Sequence, residues 1–388
     1  MRRIAAIDTF CVPPRWIFVR VRTEDGMEGW GEAIVPKRVR AIAGAIADMA
    51  ENLRGDDPDR IEDIAQRLRR GGFFRGGPIL ASAAAAIETA LWDIKGRRYG
   101  LAVHEFLGGR VRERIKAYAW IGGDRPDDVV AHARERIAQG FSTVKMNATP
   151  ALPQLGGHAI IEAAAARMGA LRDAFGDTIE IAVDLHGRVH RTALKPLLAE
   201  LAAFRPMWVE EATLPENEES LAVLTRAAGP IPVATGERLI ARWDFKRLLD
   251  SGAIDIIQPD ISITGLFELE KIARLAEIYD VAVAPHCPNG PISLAASLQI
   301  GFCAPNVAVQ EQSLGLHYHQ GFSGLPKADL LDYLTDPQPL TTIDGAFLPP
   351  RGPGLGIALN TARIIEAATE WHLPDADWRH EDGVYAEW

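Results

Sequence analysis

Two polar side chains end an apolar run in the middle of the chain. Residues 179–188 read IEIAVDLHGR, so Asp184 and His186 follow a stretch rich in isoleucine and valine. In a β-strand, residues i and i+2 point to the same face, and these two side chains should therefore point the same way. A strand that delivers polar groups at its C-terminal end is typical of the catalytic face of an α/β barrel. A strand that simply runs into a polar turn would look the same.

The same pattern recurs on neighbouring apolar runs. Barrel enzymes draw their catalytic groups from the C-terminal ends of several strands at once, whereas a solvated rim would mix charges with Ser and Thr. We therefore interpret these end residues as one functional site: Lys145 and Asn147, Asp184 and His186, Glu210 and Glu211, Glu237, Asp260, His286 and Glu311. Glu211 adjoins Glu210 and should point to the opposite face, which makes it the weaker ligand candidate.

Three of the carboxylates, Asp184, Glu210 and Glu237, lie on consecutive predicted strands. Three converging carboxylates repel one another unless a cation neutralises them. A set of oxygen ligands without cysteine favours a hard ion, so we expect Mg²⁺ before Zn²⁺. The alternative is that these are rim carboxylates paired with Arg188 or Arg238.

His286 and Asp260 end two adjacent predicted strands. A carboxylate beside an imidazole fixes its tautomer and raises its basicity, which is the arrangement of a general base, although a lone histidine is often structural. Cys287 should face away from the site, so we do not expect a nucleophilic thiol. Lys145 could hold an anionic substrate group near the metal or be a surface lysine.

The N-terminal part of the chain predicts a separate small domain. Residues 1–35 read as antiparallel strands with a hairpin turn at 24–26. Helical patterns follow over 39–70 and 79–97. Strands followed by helices indicate an N-terminal α+β domain, which we place at residues 1–115.

From residue 116 the pattern changes to strands that alternate with helices. Such alternation indicates parallel βαβ units, and eight of them close into a TIM-type (β/α) barrel. We predict an α/β fold with this barrel over 116–325, capped by the N-terminal domain and completed by a C-terminal segment, 326–388, that packs back on the cap. The eight predicted strands are KAYAWI, STVKMN, IEIAVDLH, MWVEEA, PVATGE, AIDIIQPD, VAVAPH and VAVQEQ.

Composition excludes several classes of partner. The chain has 388 residues, of which 47% are hydrophobic, and a net charge of −10 without a basic block. This balance argues against nucleic acid and anionic membranes as partners. The N-terminal sequence MRRIAAIDTFCVPP lacks the apolar segment of a signal peptide, and no run reaches the length of a membrane span. With only three cysteines, the simplest location is the reducing cytoplasm.

Taken in order, the strand-end motifs resemble those of the enolase superfamily, mandelate racemase subgroup. These motifs are Lys-x-Asn, Asp-x-His, Glu-Glu, Gly-Glu-Arg, Gln-Pro-Asp, Ala-Pro-His and Gln-Glu, and the likeness continues through PPRWIFVRVRTEDG, FFRGGPIL, ALWDIKG, APHCPNGPI and the tail WRHED. The resemblance implies a Mg²⁺-dependent, homo-oligomeric dehydratase of a small sugar acid. It favours the aldonate D-galactonate, with gluconate or a five-carbon acid as alternatives.

The resemblance also implies roles for single residues. His286, paired with Asp260, would remove the C2 proton, and His186 would protonate the departing 3-hydroxyl. Asp184, Glu210 and Glu237 would bind Mg²⁺. Substrate contacts would come from Lys145, Asn147 and Glu311, and from two loops of the cap, one around Arg15 and Trp16 and one at 73–78.

Three other functions compete with this interpretation. Racemisation needs a second base, usually a lysine where this chain has Asn147, and asparagine cannot take a proton. A sugar-acid binding protein derived from an enzyme should have lost a ligand or the His–Asp pair, and both are retained. A barrel hydrolase should show a His-x-His pair on its first strand, which KAYAWIGG lacks.

The chain departs from the family pattern at two places. Ala212 follows the Glu-Glu pair where the family usually has proline, and ISITGL, residues 261–266, replaces a polar residue and a glycine-rich turn. We expect Ile263 and Leu266 to lie beside the pocket rim, where they would affect which sugar acid is bound.

Overall fold

The computed structural model describes residues 2–150, 152–316, 319, 327–369 and 377–386. Three antiparallel strands begin the chain, and the predicted hairpin is confirmed, because the Thr23 N–H donates to the Met27 carbonyl at 3.0 Å. The strands are β1 (Ile4–Val12), β2 (Trp16–Thr23) and β3 (Glu28–Ala33).

Three helices complete the N-terminal unit, namely α1 (Val39–Leu53), α2 (Ile61–Arg70) and α3 (Pro78–Tyr99). The stretch predicted as helical over 39–70 is thus two helices, since Gly55 adopts a positive φ of 85° and Pro58 cannot continue a helix. The alanine-rich α3 is buried almost all round. It packs directly on β3, where a Cβ at Gly31 would overlap the backbone of α3.

Eight strands alternate with helices in the next part of the chain, and each overlaps a stretch predicted as a strand. The first has the predicted length but starts one residue earlier, and the other seven are shorter than predicted. The strands are β4 (Ile115–Trp120), β5 (Thr143–Asn147), β6 (Glu180–Asp184), β7 (Trp208–Glu210), β8 (Val233–Thr235), β9 (Ile256–Ile257), β10 (Ala282–Val283) and β11 (Gln310–Glu311). The helices are α4 (Pro126–Ala138), α5 (His158–Phe175), α6 (Arg191–Ala202), α7 (Leu221–Ala228), α8 (Arg242–Asp250), α9 (Ile261–Thr264), α10 (Leu266–Ile278) and α11 (Pro291–Cys303).

These strands form one curled, mostly parallel sheet. Its order is β10-β9-β8-β7-β6-β5-β4-β11, and β12 (Ala346–Phe347) pairs with β4 in the antiparallel direction. An isolated parallel bridge also joins Val283 to Val307. Because parallel neighbours end at the same edge of a sheet, the C-terminal ends of β4 to β11 face one region.

The last part of the chain contacts both the N-terminal strands and the curled sheet's loops. The Tyr333 hydroxyl donates to the Pro13 carbonyl at 2.8 Å, and the Thr369 N–H, just after α12 (Thr361–Ala367), donates to the Cys11 carbonyl at 3.1 Å. Trp378, however, lies 5.4 Å from the guanidinium of Arg188. This part of the tail therefore contacts the loop after β6, where the sequence predicts packing on the cap. No helix among the described residues is long and apolar enough to cross a membrane.

Candidate active site

A buried lysine occupies the centre of the C-terminal face of the sheet. The Lys145 Nζ lies 2.6 Å from Glu210 Oε1, 2.9 Å from Glu311 Oε1 and 3.5 Å from Asp184 Oδ2. The side chain is fully buried, so the surface-lysine alternative is wrong. Burial would lower the pKa of Lys145, but the carboxylates of Glu210 and Glu311 outweigh it and raise that pKa well above its usual value. Lys145 is therefore a permanent cation.

The three predicted metal ligands come together beside this lysine. Asp184, Glu210 and Glu237 each offer an oxygen, and these oxygens all lie within 4.8 Å of one another. Burial and the neighbouring Asp184 carboxylate raise the pKa of Glu210 to about 8, although Lys145 acts in the opposite direction. One lysine thus does not fully neutralise the cluster.

Two oxygens of the cluster show how a metal ion fits there. Asp184 Oδ2 and Glu237 Oε2 are buried and accept no hydrogen bond of adequate geometry from the described residues. A buried carboxylate oxygen without a well-aligned donor is costly, and a divalent cation would satisfy both atoms. The donor set consists of oxygens only, so the residues fit a hard divalent metal ion.

Glu211 lies outside the cluster, on the side predicted for it. Its Oε1 accepts a hydrogen bond from the Thr235 hydroxyl at 2.6 Å, and its Oε2 lies 3.2 Å from Arg238 Nε. Arg238 approaches Glu237 only to 3.9 Å. Since Arg238 is engaged mainly by Glu211, it does not balance the three clustered carboxylates, so the rim alternative does not hold for Arg238.

The predicted His–Asp pair is present at the other side of the cluster. His286 Nδ1 lies 2.8 Å from Asp260 Oδ2, and His286 Nε2 lies 3.4 Å from Glu237 Oε2. Burial lowers the pKa of His286, but Glu237, Glu311 and Asp260 together raise it to about 10. With Nδ1 turned to Asp260, the other ring nitrogen faces the cluster, as a base acting there requires.

Two residues that the sequence analysis missed hold Asp260 in place. Asp260 Oδ1 accepts hydrogen bonds from the backbone N–H and the hydroxyl of Ser262, both at 2.7 Å, and Asn289 Nδ2 lies 3.0 Å from both carboxylate oxygens. Burial raises the pKa of Asp260, but these bonds and His286 outweigh it and lower the pKa. The Asn289 of the CPNG stretch could have been noticed, because a buried amide usually serves a polar partner.

His186 meets Asp184 as predicted, but for a different reason. Strand β6 ends at Asp184, and His186 lies beyond it with a positive φ of 50°. The turn brings His186 Nε2 to 3.1 Å from Asp184 Oδ2, and the His186 N–H donates to Asp184 Oδ1 at 3.0 Å. Arg238 Nη2 donates to the His186 carbonyl at 2.8 Å. Since a positive φ costs free energy for a residue other than glycine, these contacts fix an unfavourable backbone conformation.

Glu311 on β11 contacts the end of β4 and the loop that follows β10. Its Oε1 accepts a hydrogen bond from Trp120 Nε1 at 2.7 Å, and its Oε2 accepts one from the Cys287 N–H at 2.7 Å. Burial raises the pKa of the Cys287 thiol well above its usual value, so this thiol is not a nucleophile. Trp120 was not predicted, because an indole at a strand end does not by itself indicate chemistry as a titratable or amide group does.

Asn147 ends β5, directly across from Asp184 on β6. Its side chain is half-buried, and its Oδ1 has no hydrogen-bond partner among the described residues. An amide oxygen in this position can accept a hydrogen bond from a ligand hydroxyl.

The predicted cap residues Arg15 and Trp16 lie against the loop after His286. Arg15 Nη2 donates to the Pro288 carbonyl at 3.1 Å. Trp16 is fully buried, and a Cβ at Gly290 would lie 2.8 Å from its Cδ2 atom. These residues thus support the loop that carries His286.

The second predicted cap loop, 73–78, borders a cavity that is separate from the carboxylate cluster. Phe73 and Phe74 are 94% and 89% exposed. The loop borders a cavity of about 720 Å³ between α2, α3 and the start of α8, with Trp243 and Phe267 in its wall. None of the residues to which the sequence analysis assigns catalysis or metal binding lines this cavity.

The departures from the family pattern are buried. Ala212 is 4% exposed and Ile263 is 8% exposed. Leu266 begins α10 and is fully buried in the main hydrophobic core, so the prediction that it lies beside the pocket rim is wrong. An apolar side chain at the start of a helix that packs on the cap gains more from burial than from exposure.

One further buried carboxylate links the N-terminal domain to the loop that follows His286. Glu32, on β3, accepts hydrogen bonds from the N–H groups of Gly290 at 2.6 Å, Ile292 at 3.2 Å and Ser293 at 3.0 Å. These are the free N–H groups at the start of α11, so Glu32 caps that helix from another domain. The sequence GWGEA could have predicted this contact, since a glutamate inside a buried strand needs a hydrogen-bond partner.

Comparison with known proteins gives consistent results for sequence and structure. Residues 128–363 match the family model "Enolase C-terminal domain-like", and residues 6–108 match "Mandelate racemase / muconate lactonizing enzyme, N-terminal domain". The D-galactonate dehydratase of Ralstonia nicotianae is 46% identical, and that of Pectobacterium atrosepticum is 45% identical, each over the full length of both chains.

Solved structures with the same fold are also found. An enolase of Agrobacterium radiobacter, described as a candidate galactarate dehydratase with bound Na and L-malate, is 30% identical with a TM-score of 0.89, covering 99% of this chain and 100% of that chain. A candidate dehydratase of Mesorhizobium loti is 30% identical with a TM-score of 0.87, covering 95% of this chain and 99% of that chain.

Proposed function

The chain belongs to the enolase superfamily, and its N-terminal part matches the N-terminal domain of mandelate racemase and muconate lactonizing enzyme. From this premise we propose that it is a Mg²⁺-dependent dehydratase of D-galactonate. One observation carries the proposal. The carboxylate cluster has a histidine on each flank, since His186 Nε2 lies 3.1 Å from Asp184 and His286 Nε2 lies 3.4 Å from Glu237. A metal site between two imidazoles provides a base and an acid for the two halves of an elimination. The substrate is taken from the full-length relatives named D-galactonate dehydratase.

We also infer that the sheet closes into the predicted TIM-type barrel. Val283 of β10 bridges to Val307, and Gln310 of β11 pairs with Ala117 of β4. Residues 307–311 would therefore connect the last strand to the first. The cap over 1–115, the barrel over 116–325 and the segment 326–388 remain our domain division, with Trp378 on the barrel rather than on the cap.

Asp184, Glu210 and Glu237 would hold the metal ion. Their hard oxygens favour Mg²⁺, and when bound the cation supplies positive charge beside the substrate carboxylate, where negative charge accumulates after the C2 proton leaves. Neutralising Glu237 would also remove the carboxylate that contributes most to the raised pKa of His286. His286 could then be neutral and accept a proton.

The first half of the reaction belongs to His286. Its Nε2 takes the proton from C2 of the substrate, while Asp260 holds the Nδ1–H and stabilises the imidazolium that forms. The electron pair of the C2–H bond moves into the carboxylate to give an enediolate. Lys145, fixed by Glu210 and Glu311, supplies a cation close to that charge. Glu311 also holds the N–H of Cys287, which follows His286 in the chain.

The second half belongs to His186. The enediolate electrons form the C2–C3 double bond as the C3–O bond breaks, and His186 donates a proton so that the hydroxyl leaves as water. The enol then gains a proton at C3 and loses one from the C2 hydroxyl, which gives the 2-keto-3-deoxy acid. Asn147 would bind a substrate hydroxyl through its Oδ1, which accepts no hydrogen bond from the part of the chain that the structure describes. Arg15 and Trp16 would act through the loop at Pro288 and Gly290.

A screen of aldonic acids with Mg²⁺ tests the substrate. We expect D-galactonate to lose water most rapidly, with the 2-keto-3-deoxy acid detected as product. Excess chelator should abolish the activity, and Mg²⁺ or Mn²⁺ should restore it. Preference for gluconate or a five-carbon acid would correct only the specificity. Turnover limited to acids without a 3-hydroxyl, or full activity in metal-free protein, would contradict the dehydratase function.

Exchange of the C2 proton in D₂O separates the two histidines. His286→Asn should lose both dehydration and exchange, because no base remains to form the enediolate. His186→Asn should lose dehydration but retain slow exchange, provided that the proton on His286 equilibrates with solvent. Each loss should be about 10²- to 10⁴-fold, the usual contribution of a positioned acid or base. Proton NMR of the substrate decides this, and exchange that survives only in His286→Asn would mean that the roles are reversed.

A further inference from the structure

Trp120 is the last residue of the first barrel strand, β4. It is half-buried, and neither the sequence analysis nor the mechanism above gives it a role. Its position matters because β4 lies between β5, which ends near Lys145, and β11, which carries Glu311. One indole therefore reaches groups from three different strand ends.

The indole contacts three functional side chains through different parts of the ring. Its Nε1 donates to Glu311 Oε1 at 2.7 Å. Its face lies 4.5 Å from the Lys145 Nζ. The same ring system stacks on the imidazole of His186, with a centroid distance of 6.3 Å and an interplanar angle of 22°.

The stacked contact acts on a part of His186 that its backbone contacts do not control. His186 follows the end of β6 in a left-handed turn, and its backbone is held by Asp184 and Arg238. Those two bonds fix the main chain, whereas the plane of the imidazole is restrained by Asp184 at one nitrogen and by the indole face. An aromatic pair in this offset geometry resists rotation of either ring.

We propose that Trp120 is a positioning residue for the elimination step, which holds the His186 ring in the orientation needed to protonate the leaving hydroxyl. This inference rests on the proposed dehydratase function. Trp120 touches no reacting atom in this proposal. Its N–H positions Glu311, which serves both halves of the reaction, while its ring face positions His186, which serves only the second half.

The two contacts predict different kinetic effects. Loss of the N–H should slow proton exchange and dehydration together, because Glu311 holds Lys145, and the Lys145 cation stabilises the enediolate that both reactions share. Loss of the ring face should slow dehydration alone, so that more of the enediolate returns to substrate. The ratio of C2 exchange to dehydration therefore reports the stacking contact, and it is unaffected by the fraction of folded protein.

The test measures both rates in D₂O, with D-galactonate and Mg²⁺, for Trp120→Phe, Trp120→Leu and Trp120→Met. Trp120→Phe keeps an aromatic face without the N–H, and we expect both rates to fall about tenfold with an unchanged ratio, as for loss of a hydrogen bond to a charged group. Trp120→Leu and Trp120→Met should raise the ratio of exchange to dehydration by about 2- to 10-fold, the size of an aromatic pair interaction.

Trp243→Phe is the matched control, since Trp243 is 47% exposed and lies at the start of α8, where it contacts Arg242. This variant should retain both rates. An unchanged ratio in both non-aromatic variants, with active wild-type protein, would overturn the positioning role but leave the dehydratase function intact. Wild-type protein that catalyses neither reaction with any aldonate would overturn the dehydratase function and this inference with it.

Discussion

Buried carboxylates occur in two regions of this molecule, and they are satisfied in opposite ways. At the boundary between the N-terminal domain and the curled sheet with its helices, Glu32 accepts three N–H groups at the start of α11, and Glu88 accepts the Phe267 N–H at the start of α10 at 2.7 Å. At the C-terminal face of the sheet, Asp184, Glu210 and Glu237 crowd within 4.8 Å of one another. There, two carboxylate oxygens accept no hydrogen bond of adequate geometry from the described residues.

The difference separates structure from function. A carboxylate whose oxygens face helix N-termini has its partners built into the fold, and it stabilises the contact between two domains. In the second group, Lys145 contacts only Asp184 and Glu210, while Glu237 faces His286. Such a crowded set of carboxylates gains stability from a bound cation. We therefore expect the boundary carboxylates to control stability and the clustered carboxylates to control activity.

Glu237→Gln should produce the largest effect. Loss of one clustered carboxylate should lower activity by about 10³-fold or more, because several kcal/mol of metal-derived stabilisation are lost in the transition state. The metal-free variant should be more stable than metal-free wild type, since one like charge has been removed from the cluster. Activity assays and urea unfolding with chelator measure the two effects.

The control for this variant is Asp250→Asn, an exposed carboxylate that forms an ion pair with Lys246. It should change neither quantity appreciably. A metal-free Glu237→Gln protein that is clearly less stable than wild type would contradict the distinction, because it would mean that the cluster contributes to folding without a cation.

The second prediction concerns stability against pH in metal-free protein. The pKa of Glu210 is raised to about 8, so the folded protein holds this proton more tightly than the unfolded chain. The stabilisation is complete below the unfolded value near 4.5 and is lost as pH rises through about 8, at about 1.4 kcal/mol for each pH unit between these two values. The raised pKa of His286, about 10, acts in the same direction above its ordinary value.

Mg²⁺ should remove much of this loss, because it binds the ionised carboxylates. The increase in Tm on adding Mg²⁺ should therefore grow as pH rises from about 5 to about 8. Thermal unfolding across this range, with and without chelator, measures it. An increase in Tm that is constant with pH would show that the carboxylates are already ionised in metal-free protein.

The fold could be predicted in large part because its signals are local. Each strand of the curled sheet is a short run of apolar residues, many of them β-branched, and lies where the sequence predicts such a run. Seven of the eight strands are shorter than predicted, since pairing with neighbouring strands ends before the apolar pattern does. The stretch AIDIIQPD, for example, forms a strand only at Ile256 and Ile257, with an isolated bridge from Asp260 to His286.

The site was predicted where chemistry lay at strand ends, and missed where it depended on which elements become neighbours. Lys145 is held by Glu210 and Glu311. These two residues lie far from it along the chain, so the burial of Lys145 could not be predicted from the sequence. Trp120 and Glu32 act on residues of other strands and another domain. Their partners are defined only once the sheet has formed, and no local pattern records them.

Glu32→Gln tests the boundary region and should reduce stability without removing catalysis. Glutamine offers one oxygen, so at least one of the N–H groups of Gly290, Ile292 and Ser293 loses its acceptor. We expect a loss of about 1–3 kcal/mol for each unsatisfied donor in the free energy of unfolding. Urea unfolding with Mg²⁺ measures this loss, with Glu28→Gln as the control, a half-exposed glutamate on the same strand.

Activity per folded molecule should be affected far less by Glu32→Gln than by Glu237→Gln. If Glu32→Gln abolished activity at unchanged stability, the boundary carboxylate would belong to the catalytic machinery and the two regions would not differ as we argue.

Glu88→Gln should have the smallest effect, and its sign should depend on pH. Burial raises the pKa of Glu88 to about 7, although Arg69 and the Phe267 N–H act in the opposite direction. At pH about 6 the wild-type side chain is mostly protonated, and glutamine can keep the single bond to the Phe267 N–H, so the two proteins should agree within about 1 kcal/mol. As pH rises to about 8 the glutamate must ionise in a buried site, and the variant should gain about 1–2 kcal/mol of stability relative to wild type.

Urea unfolding at both pH values with Mg²⁺ measures the difference. A variant that is less stable than wild type by the same amount at both pH values would show that Arg69 holds Glu88 ionised throughout, and that this boundary contact is an ion pair rather than a neutral cap on the helix.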